Sequence, residues 1–474
     1  MATAGQLPDG LPGPAGEHDH GSVDVTDLAE GGTFATLGIA GPEQAHDALR
    51  RAEAAEQRMR ESTLVERAQW LETLAAEIES RRDQFAEIIV REAGKPIASA
   101  RGEVDSAVER VERAVEEVHD LQGEYLRGTT SGHEGWEAIV TPEPVGTALC
   151  LSPYNYPVVT TLLQVAPAIA AGNSVVLKPS TKTPISAALL TTCVRKAGVP
   201  EDAFQFVPGR GSEIGDVLAG ADEIDAIALT GSSRVGKHIA KESGMVELHM
   251  ELGGNAPAVV FEDADMKTAA GDCMAGSLKY GGQRCSAVSR VIAEESVHDD
   301  LVERIDARMD DWVVGDLFDE ETDMGPLIDE SQAEWVETLV EDALARNATL
   351  VRGGERDGKQ FEPTLLADVP KDARIVHEEQ FGPVVAITTF EDEAEALEIA
   401  NADDYGLDAS VFTSDYDRAR RVADQIRAGT VRINGRPSHG IGDIPFGGMD
   451  DSGIGREGID YTIDAFTQTK SIIL

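Results

Sequence analysis

Between residues 147 and 250 the chain alternates short apolar runs with helix-period segments, and few folds accept that rhythm. The runs 147–151, 174–177, 204–207, 226–229 and 246–250 have the length of strands, and 158–171, 185–197, 212–218 and 235–242 repeat apolar residues at helical spacing. Strands joined by crossover helices close as parallel units, so the stretch predicts an α/β fold with a doubly wound parallel sheet. Ligands of such sheets sit beyond the carboxyl ends of the strands. A second α/β region opens near Gly253. It reads as strand at 259–261, helix at 266–278, strand at 289–292, helices at 301–312 and 332–346, strand at 384–390, helix at 393–401 and strand at 409–413. Upstream, 42–123 has helical period, with long amphipathic stretches at 64–92 and 97–121, and 123–144 reads as extended segments with polar turns. The tail 464–474 reads as extended and ends apolar, which predicts pairing with another segment or subunit. A chain of 474 residues exceeds one ordinary core, so two or three domains are expected.

Charge narrows the function classes. Acidic residues number 86 against 41 basic, a net charge of −45 spread along the chain, for example over 103–124 and 299–330. Such a balance weighs against nucleic acid and anionic membranes as partners. A global acidic excess reads as a surface held soluble in high salt and implies a halophilic source. No apolar run reaches the ~20 residues of a membrane span. Residues 1–21 are rich in Gly, Pro, Ala and Asp and lack the basic start and apolar core of a signal peptide, so a disordered arm and a cytoplasmic location are expected. Cys150, Cys193, Cys273 and Cys285 form no CxxC pair and have no His cluster, which argues against zinc.

Four segments carry candidate chemistry. Tyr280-Gly281-Gly282-Gln283-Arg284-Cys285-Ser286-Ala287 puts a thiol on a flexible connector, where it is either a nucleophile, with Arg284 favouring the thiolate, or a small buried residue. Leu248-His249-Met250-Glu251-Leu252-Gly253-Gly254-Asn255 ends a strand in a carboxylate, a general base or a surface charge. Ser152-Pro153-Tyr154-Asn155-Tyr156-Pro157 follows the first strand, and its amide is an oxyanion donor or a turn former. Val176-Leu177-Lys178-Pro179-Ser180 sets a lysine at a strand's carboxyl end, where it meets a ligand or only water.

Together these segments resemble the aldehyde dehydrogenase superfamily in order and spacing. Glu251 lies 34 residues and Asn155 130 residues before Cys285. The turn after Ile227-Ala228-Leu229, Thr230-Gly231-Ser232-Ser233-Arg234-Val235-Gly236, is also family-like. So are Glu379-Gln380-Phe381-Gly382-Pro383, Pro445-Phe446-Gly447-Gly448 and Ser452-Gly453-Ile454-Gly455-Arg456-Glu457-Gly458. The resemblance runs from about residue 25 to the end and is nearest to archaeal lactaldehyde and non-phosphorylating glyceraldehyde-3-phosphate dehydrogenase members.

The resemblance implies that Cys285 attacks the aldehyde carbon, Asn155 and the Cys285 backbone N–H hold the oxyanion, and Glu251 activates the water that hydrolyses the thioester. NADP or NAD is implied as cofactor. Its implied binding residues are Tyr154, Lys178, Ser180, Thr181, Gly211, Gly215, Gly231, Ser232, Gly236, Leu252, Glu379 and Phe381, with tight helix–strand packing as the alternative reading of the glycines. Members that prefer NAD commonly carry a glutamate at the position of Thr181, so a neutral hydroxyl there, with Lys178, Lys182 or Arg210 near, implies that NADP is accepted. Tyr156 and Arg284 are the implied substrate contacts. Two further arginines of the glyceraldehyde-3-phosphate branch fall on Ser106 and His439, which weakens a phosphate clamp and leaves small hydroxyaldehydes or semialdehydes open. A non-catalytic protein keeping the fold is the reading from another class. The family's division implies a cofactor domain at 22–122 and 144–252, a catalytic domain at 253–455, and an oligomerisation arm at 123–143 and 456–474, assembling as a homodimer or homotetramer.

Overall fold

The computed structural model describes residues 20–439 and 443–474. The expected disordered arm therefore lies outside the described residues, apart from its last two positions. The described chain opens with a hairpin, β1 (Ser22–Thr26) and β2 (Thr33–Gly38), followed by four helices: α1 (Pro42–Glu61), α2 (Leu64–Glu79), α3 (Arg82–Ala93) and α4 (Ile97–Asp120). The stretch at 64–92 is thus two helices. Arg81 leaves helical geometry at φ −115°, ψ 18°, and the break lets both Leu74–Ile78 of one helix and Phe85–Ile89 of the next reach one core. Thr63 and Glu66 close a reciprocal cap at the start of α2, and α3 stops at Gly94 in the left-handed region.

After β3 (Glu124–Arg127) and β4 (Glu137–Pro144), the alternation expected from the sequence follows: β5 (Thr147–Leu151), α5 (Val159–Ala171), β6 (Ser174–Lys178), α6 (Pro184–Ala197), β7 (Phe204–Phe206), α7 (Gly211–Ala219), β8 (Ala226–Thr230), α8 (Ser233–Glu242) and β9 (Glu247–Glu251). The strands stand in the order β9-β8-β5-β6-β7 and all pair in parallel. The order reverses at β5, so the crevice of this sheet opens at the carboxyl ends of β5, β8 and β9. Every residue of α5 is buried, which explains why its sequence is apolar on all sides.

The second sheet is built from β10 (Ala256–Val260), α9 (Met266–Leu278), β11 (Val288–Glu294), α10 (His298–Met309), α11 (Glu330–Ala345), β12 (Thr349–Arg352), the small hairpin β13 (Arg356–Asp357) and β14 (Gln360–Phe361), β15 (Thr364–Ala367), α12 (Arg374–His377), β16 (Val384–Phe390), α13 (Glu393–Ala400), β17 (Asp408–Phe412), α14 (Tyr416–Ala423) and β18 (Thr430–Ile433). Its order is β12-β15-β16-β11-β10-β17-β18, parallel except for β12 against β15. The two-residue β19 (Gly453–Ile454) joins the edge of the first sheet beside β9.

The tail departs from expectation at its start. Residues to Ala465 form α15 (Ile459–Ala465), whose Ile459 and Ile463 are buried, and only then does β20 (Thr467–Ile473) run out. β20 pairs antiparallel with β4, and β4 with β3, in a three-stranded sheet. The tail's partner within the chain is thus β4, yet Tyr125, Leu126, Ile139, Ile472, Ile473 and Leu474 stay exposed. Among the described residues no helix is long and apolar enough to cross a membrane.

Candidate functional site

The two large sheets meet so that the carboxyl ends of one face loops at the amino ends of the other. Asn155 follows β5 and Glu251 ends β9, whereas Cys285 precedes β11 and Glu379 and Phe381 precede β16. Between them lies a cavity of about 1260 Å³ lined by Asn155, Glu251 and Cys285 together with Lys178 and Glu379. The placement rule for parallel sheets holds for the first sheet. The second sheet contributes from its opposite end.

The cysteine loop is shaped by backbone that only a few residues accept. Tyr280, Gly281 and Gly282 all have positive φ (56°, 61° and 71°), and a β-carbon on Gly282 would sit 2.0 Å from the Gly382 carbonyl oxygen. Gln283 then locks the loop. Its Oε1 accepts from Ile328 N–H at 2.9 Å, and its Nε2 donates to the Tyr280 and Pro326 carbonyls. Asn155 Nδ2 donates to the Gln283 carbonyl at 2.9 Å, so one amide hydrogen ties this side chain to the cysteine loop and the other remains for a ligand oxygen.

Arg284 pulls toward the thiolate, as expected from the sequence, but in the resting protein that pull is outweighed. Burial pushes the Cys285 thiol well up, and the charges of Glu251, Glu457 and Glu379 add to that against the opposing pull of Arg284. Arg284 itself turns back, Nη2 donating to the Gly276 carbonyl at 2.5 Å, with its Nε buried and unpartnered. Glu251 is buried, with Oε1 unpartnered; burial first, then Glu457, raise its carboxyl well above the usual range. Glu379 accepts from Gly254 N–H at 3.0 Å, and burial holds its carboxyl up at about 7.

The residues expected to hold a cofactor divide. Tyr154, Lys178, Ser180, Gly211, Gly215, Gly231, Ser232, Leu252, Glu379 and Phe381 line the cavity with the catalytic candidates, as do Tyr156 and Arg284. Thr181 and Gly236 lie outside its lining. A β-carbon on Gly236 would press to 2.6 Å from the Leu252 methyls, so this glycine answers to the packing reading. The Gly231 N–H is already given to the Glu251 carbonyl at 3.0 Å, which leaves anion reception to the next N–H groups at the start of α8. Lys182 is spent on an ion pair with Asp329 and lies over the Tyr154 ring, so it is a poor candidate for a phosphate.

A dinucleotide suits what remains. Burial brings the Lys178 ammonium down to about 8, and among the described residues its Nζ bonds only the Pro179 carbonyl, at 3.4 Å. The Tyr154 hydroxyl is buried without a partner. β-Carbons on Gly211 and Gly215 would meet no protein atom within 4 Å, so the cavity wall there is open to a ligand.

Sequence reasoning missed several neighbours. Lys95 and Glu103 form a buried ion pair at the cavity wall, with Lys95 Nζ 3.5 Å from the Tyr156 ring centre and 4.5 Å from that of Tyr280. Glu457 accepts from His439 Nε2 at 2.9 Å; burial works against its ionisation, but His439, His249 and Arg110 together hold its carboxyl low. Trp335 Nε1 donates to the Glu379 carbonyl, and Gln332 Nε2 to those of Gln380 and Phe381, fixing the loop where Phe381 adopts φ 49°. Turn chemistry marked none of these pairings, because each depends on which side chains the fold brings together.

Residues 16–472 match the model of the aldehyde dehydrogenase family. The chain is 39% identical over 424 residues to the NADP-dependent glyceraldehyde-3-phosphate dehydrogenase of Streptococcus equinus, covering 89% of each. It is 36% identical over 396 residues to the 3-sulfolactaldehyde dehydrogenase of Priestia megaterium, covering 83% of each. The crystal structure of the NADP-dependent glyceraldehyde-3-phosphate dehydrogenase of Bacillus halodurans complexed with NADP superposes with a TM-score of 0.95 at 35% identity. That match covers 100% of this chain and 99% of the other.

Proposed function

The chain belongs to the aldehyde dehydrogenase family and is an NAD(P)-dependent oxidoreductase, and from that premise we propose that it oxidises a small aldehyde bearing an anionic group to the carboxylic acid, with NADP accepted as cofactor. The observation that carries the chemistry is the convergence of Cys285, Asn155 and Glu251 on one cavity wall from three separate segments. The Cys285 sulfur attacks the aldehyde carbon, and the remaining Asn155 amide hydrogen and the Cys285 N–H receive the oxygen as it becomes negative. When bound, the nicotinamide cofactor supplies the hydride acceptor. Lys178 and Glu379 would hold it by its ribose groups, and the first turn of α8 by its phosphate. Cys285 then carries the acyl group as a thioester. Glu251 takes a proton from the water that hydrolyses it, and burial, by raising its carboxyl above the usual range, makes it a stronger base than a free carboxylate.

The anionic substrate is supported by Arg284 and Tyr156 on the cavity wall and by relatives whose names include a phosphorylated and a sulfonated aldehyde. Against a full phosphate clamp, Ser106 brings no charge, and the ring nitrogen of His439 is given to Glu457. The test is steady-state kcat/KM, read from reduced-nicotinamide absorbance in concentrated salt, for glyceraldehyde 3-phosphate, 3-sulfolactaldehyde and uncharged lactaldehyde. A preference for lactaldehyde over both anionic substrates overturns the proposal.

The surroundings are proposed in the same way. We assign residues 22–122 and 144–252 to the cofactor half, 253–455 to the catalytic half, and 123–143 with 456–474 to an arm. The exposed apolar residues of that arm's sheet suit contact with further copies in a dimer or tetramer. Four free thiols suit the reducing cytoplasm, and the charge of −45 suits a halophile.

A further inference from the structure

At the carboxyl end of α9 three cations gather. Lys279 follows the last residue of the helix and stands exposed on the rim of the cavity that Cys285 lines. Arg284 Nη2 donates to the Gly276 carbonyl in the last turn of the helix, and a β-carbon on Gly276 would lie 3.7 Å from Cβ of Arg436. The helix terminus balances part of this charge through the carbonyl that Arg284 takes. Carboxylates supply little more. Among the described residues Arg436 pairs only with Asp272, at 3.9 Å, and Lys279 has no ion-pair partner. In a chain with twice as many acidic as basic residues, nearly every surface lysine or arginine could have been paired. Here partial burial, then the charges of Arg284, Arg436 and Lys95, push the Lys279 ammonium below its usual range. The buried Arg284 Nε likewise has no acceptor.

Lys279 and Arg284 both line the cavity, and among the described residues neither has a carboxylate partner, so the pair offers positive charge to an anion. We infer that Lys279 adds a second cation beside the already assigned Arg284 and binds the anionic tail of the substrate, a phosphate or sulfonate at the end of a short aldehyde remote from its carbonyl. This rests on the anionic-aldehyde reading above and deepens it. Lys279 sits five residues before Arg284 and six before Cys285 and lines the same cavity, so a tail bound at the rim leaves the aldehyde pointing inward to the sulfur. A lysine ammonium from α9 supplies charge that Ser106 and the committed His439 do not. Because the contact is with the tail and not the reacting carbon, Lys279 sets specificity and does no chemistry.

The experiment compares wild type, Lys279→Met and Lys279→Arg on glyceraldehyde 3-phosphate, 3-sulfolactaldehyde and lactaldehyde at one high salt concentration. Lys279→Met keeps the length of the side chain on an exposed position and removes only the charge. It is expected to lower kcat/KM for both anionic substrates by about tenfold or more, chiefly through KM, and to leave lactaldehyde within about twofold. Lys279→Arg should recover most of the loss. The wild-type ratio of phosphate to sulfonate turnover identifies which tail the subsite prefers. An equal loss on lactaldehyde would mean a structural role, and an unchanged anionic kcat/KM would mean no contact; either overturns the inference while the substrate class stands. A wild-type enzyme that prefers lactaldehyde removes the substrate class itself, and the subsite with it.

Discussion

Replacing Lys95 by methionine should damage both the stability of the protein and the shape of its cavity. The Lys95 side chain is 1% exposed and paired with Glu103, which is fully buried. Glu103 Oε1 also accepts from the N–H groups of Val158 and Val159, at 2.9 and 3.3 Å, at the start of α5. Removing the ammonium strands a carboxylate in the core, which costs about 3–5 kcal/mol. Losing the cation from the faces of Tyr156 and Tyr280 adds about 1–2 kcal/mol. The two α5 amides still stabilise the anion, so the net expectation is a loss of about 4 kcal/mol. Both tyrosines line the site or abut it, and Tyr280 is further tied through its hydroxyl to the Ala93 carbonyl at 2.7 Å, so substrate KM should rise as well. The assay is urea denaturation at fixed salt for wild type, Lys95→Met and Lys95→Met/Glu103→Gln. Glutamine keeps an acceptor for α5 without the stranded charge, so the double variant should regain about half of the loss or more. A single variant costing under about 1 kcal/mol, or a double variant less stable than the single, would refute this account of the pair.

Glu251→Gln should show a rapid burst of reduced cofactor followed by slow turnover in stopped flow, since acylation survives and water activation does not; wild-type steady-state rates in this variant would remove Glu251 from the mechanism. The Glu251 carboxyl and the Cys285 thiol both titrate above their usual ranges and both act deprotonated, so kcat/KM should climb with pH above neutrality; a profile flat between about pH 6 and 9 contradicts these shifts. NADP should be used at least as well as NAD, and Thr181→Glu should move the ratio of kcat/KM toward NAD. A wild-type preference for NAD above about tenfold, ~1.4 kcal/mol, counts against the reading. Activity or subunit association, followed by turnover and sedimentation, should fall in low salt and return near 1 M, where the Debye length is about 3 Å; full activity at about 50 mM argues against the halophilic assignment.

The sequence by itself determined the strands and helices of the first sheet almost to the residue, because the switch between continuous apolar runs and helix-period segments is a local property and the sheet buries both faces. It also brought out Cys285, Glu251, Asn155 and Lys178, because each stands at a turn whose Gly, Pro or Asn chemistry is legible in neighbouring residues. Only the tertiary structure decided what those residues experience. Arg284 beside Cys285 reads as an activating cation, but the field at the sulfur is set by burial and by Glu251, Glu457 and Glu379, which arrive from 34 to 172 positions away. Lys182 reads as a source of positive charge for a phosphate until Asp329 claims it, and Gly236 as a cofactor-binding residue until the Leu252 methyls fill the space. The Lys95–Glu103 pair and the Glu457–His439 bond had no local signature at all. Spacing along a chain fixes secondary structure through short-range sterics, whereas pKa, partnership and cavity shape depend on distances in space that the fold alone supplies.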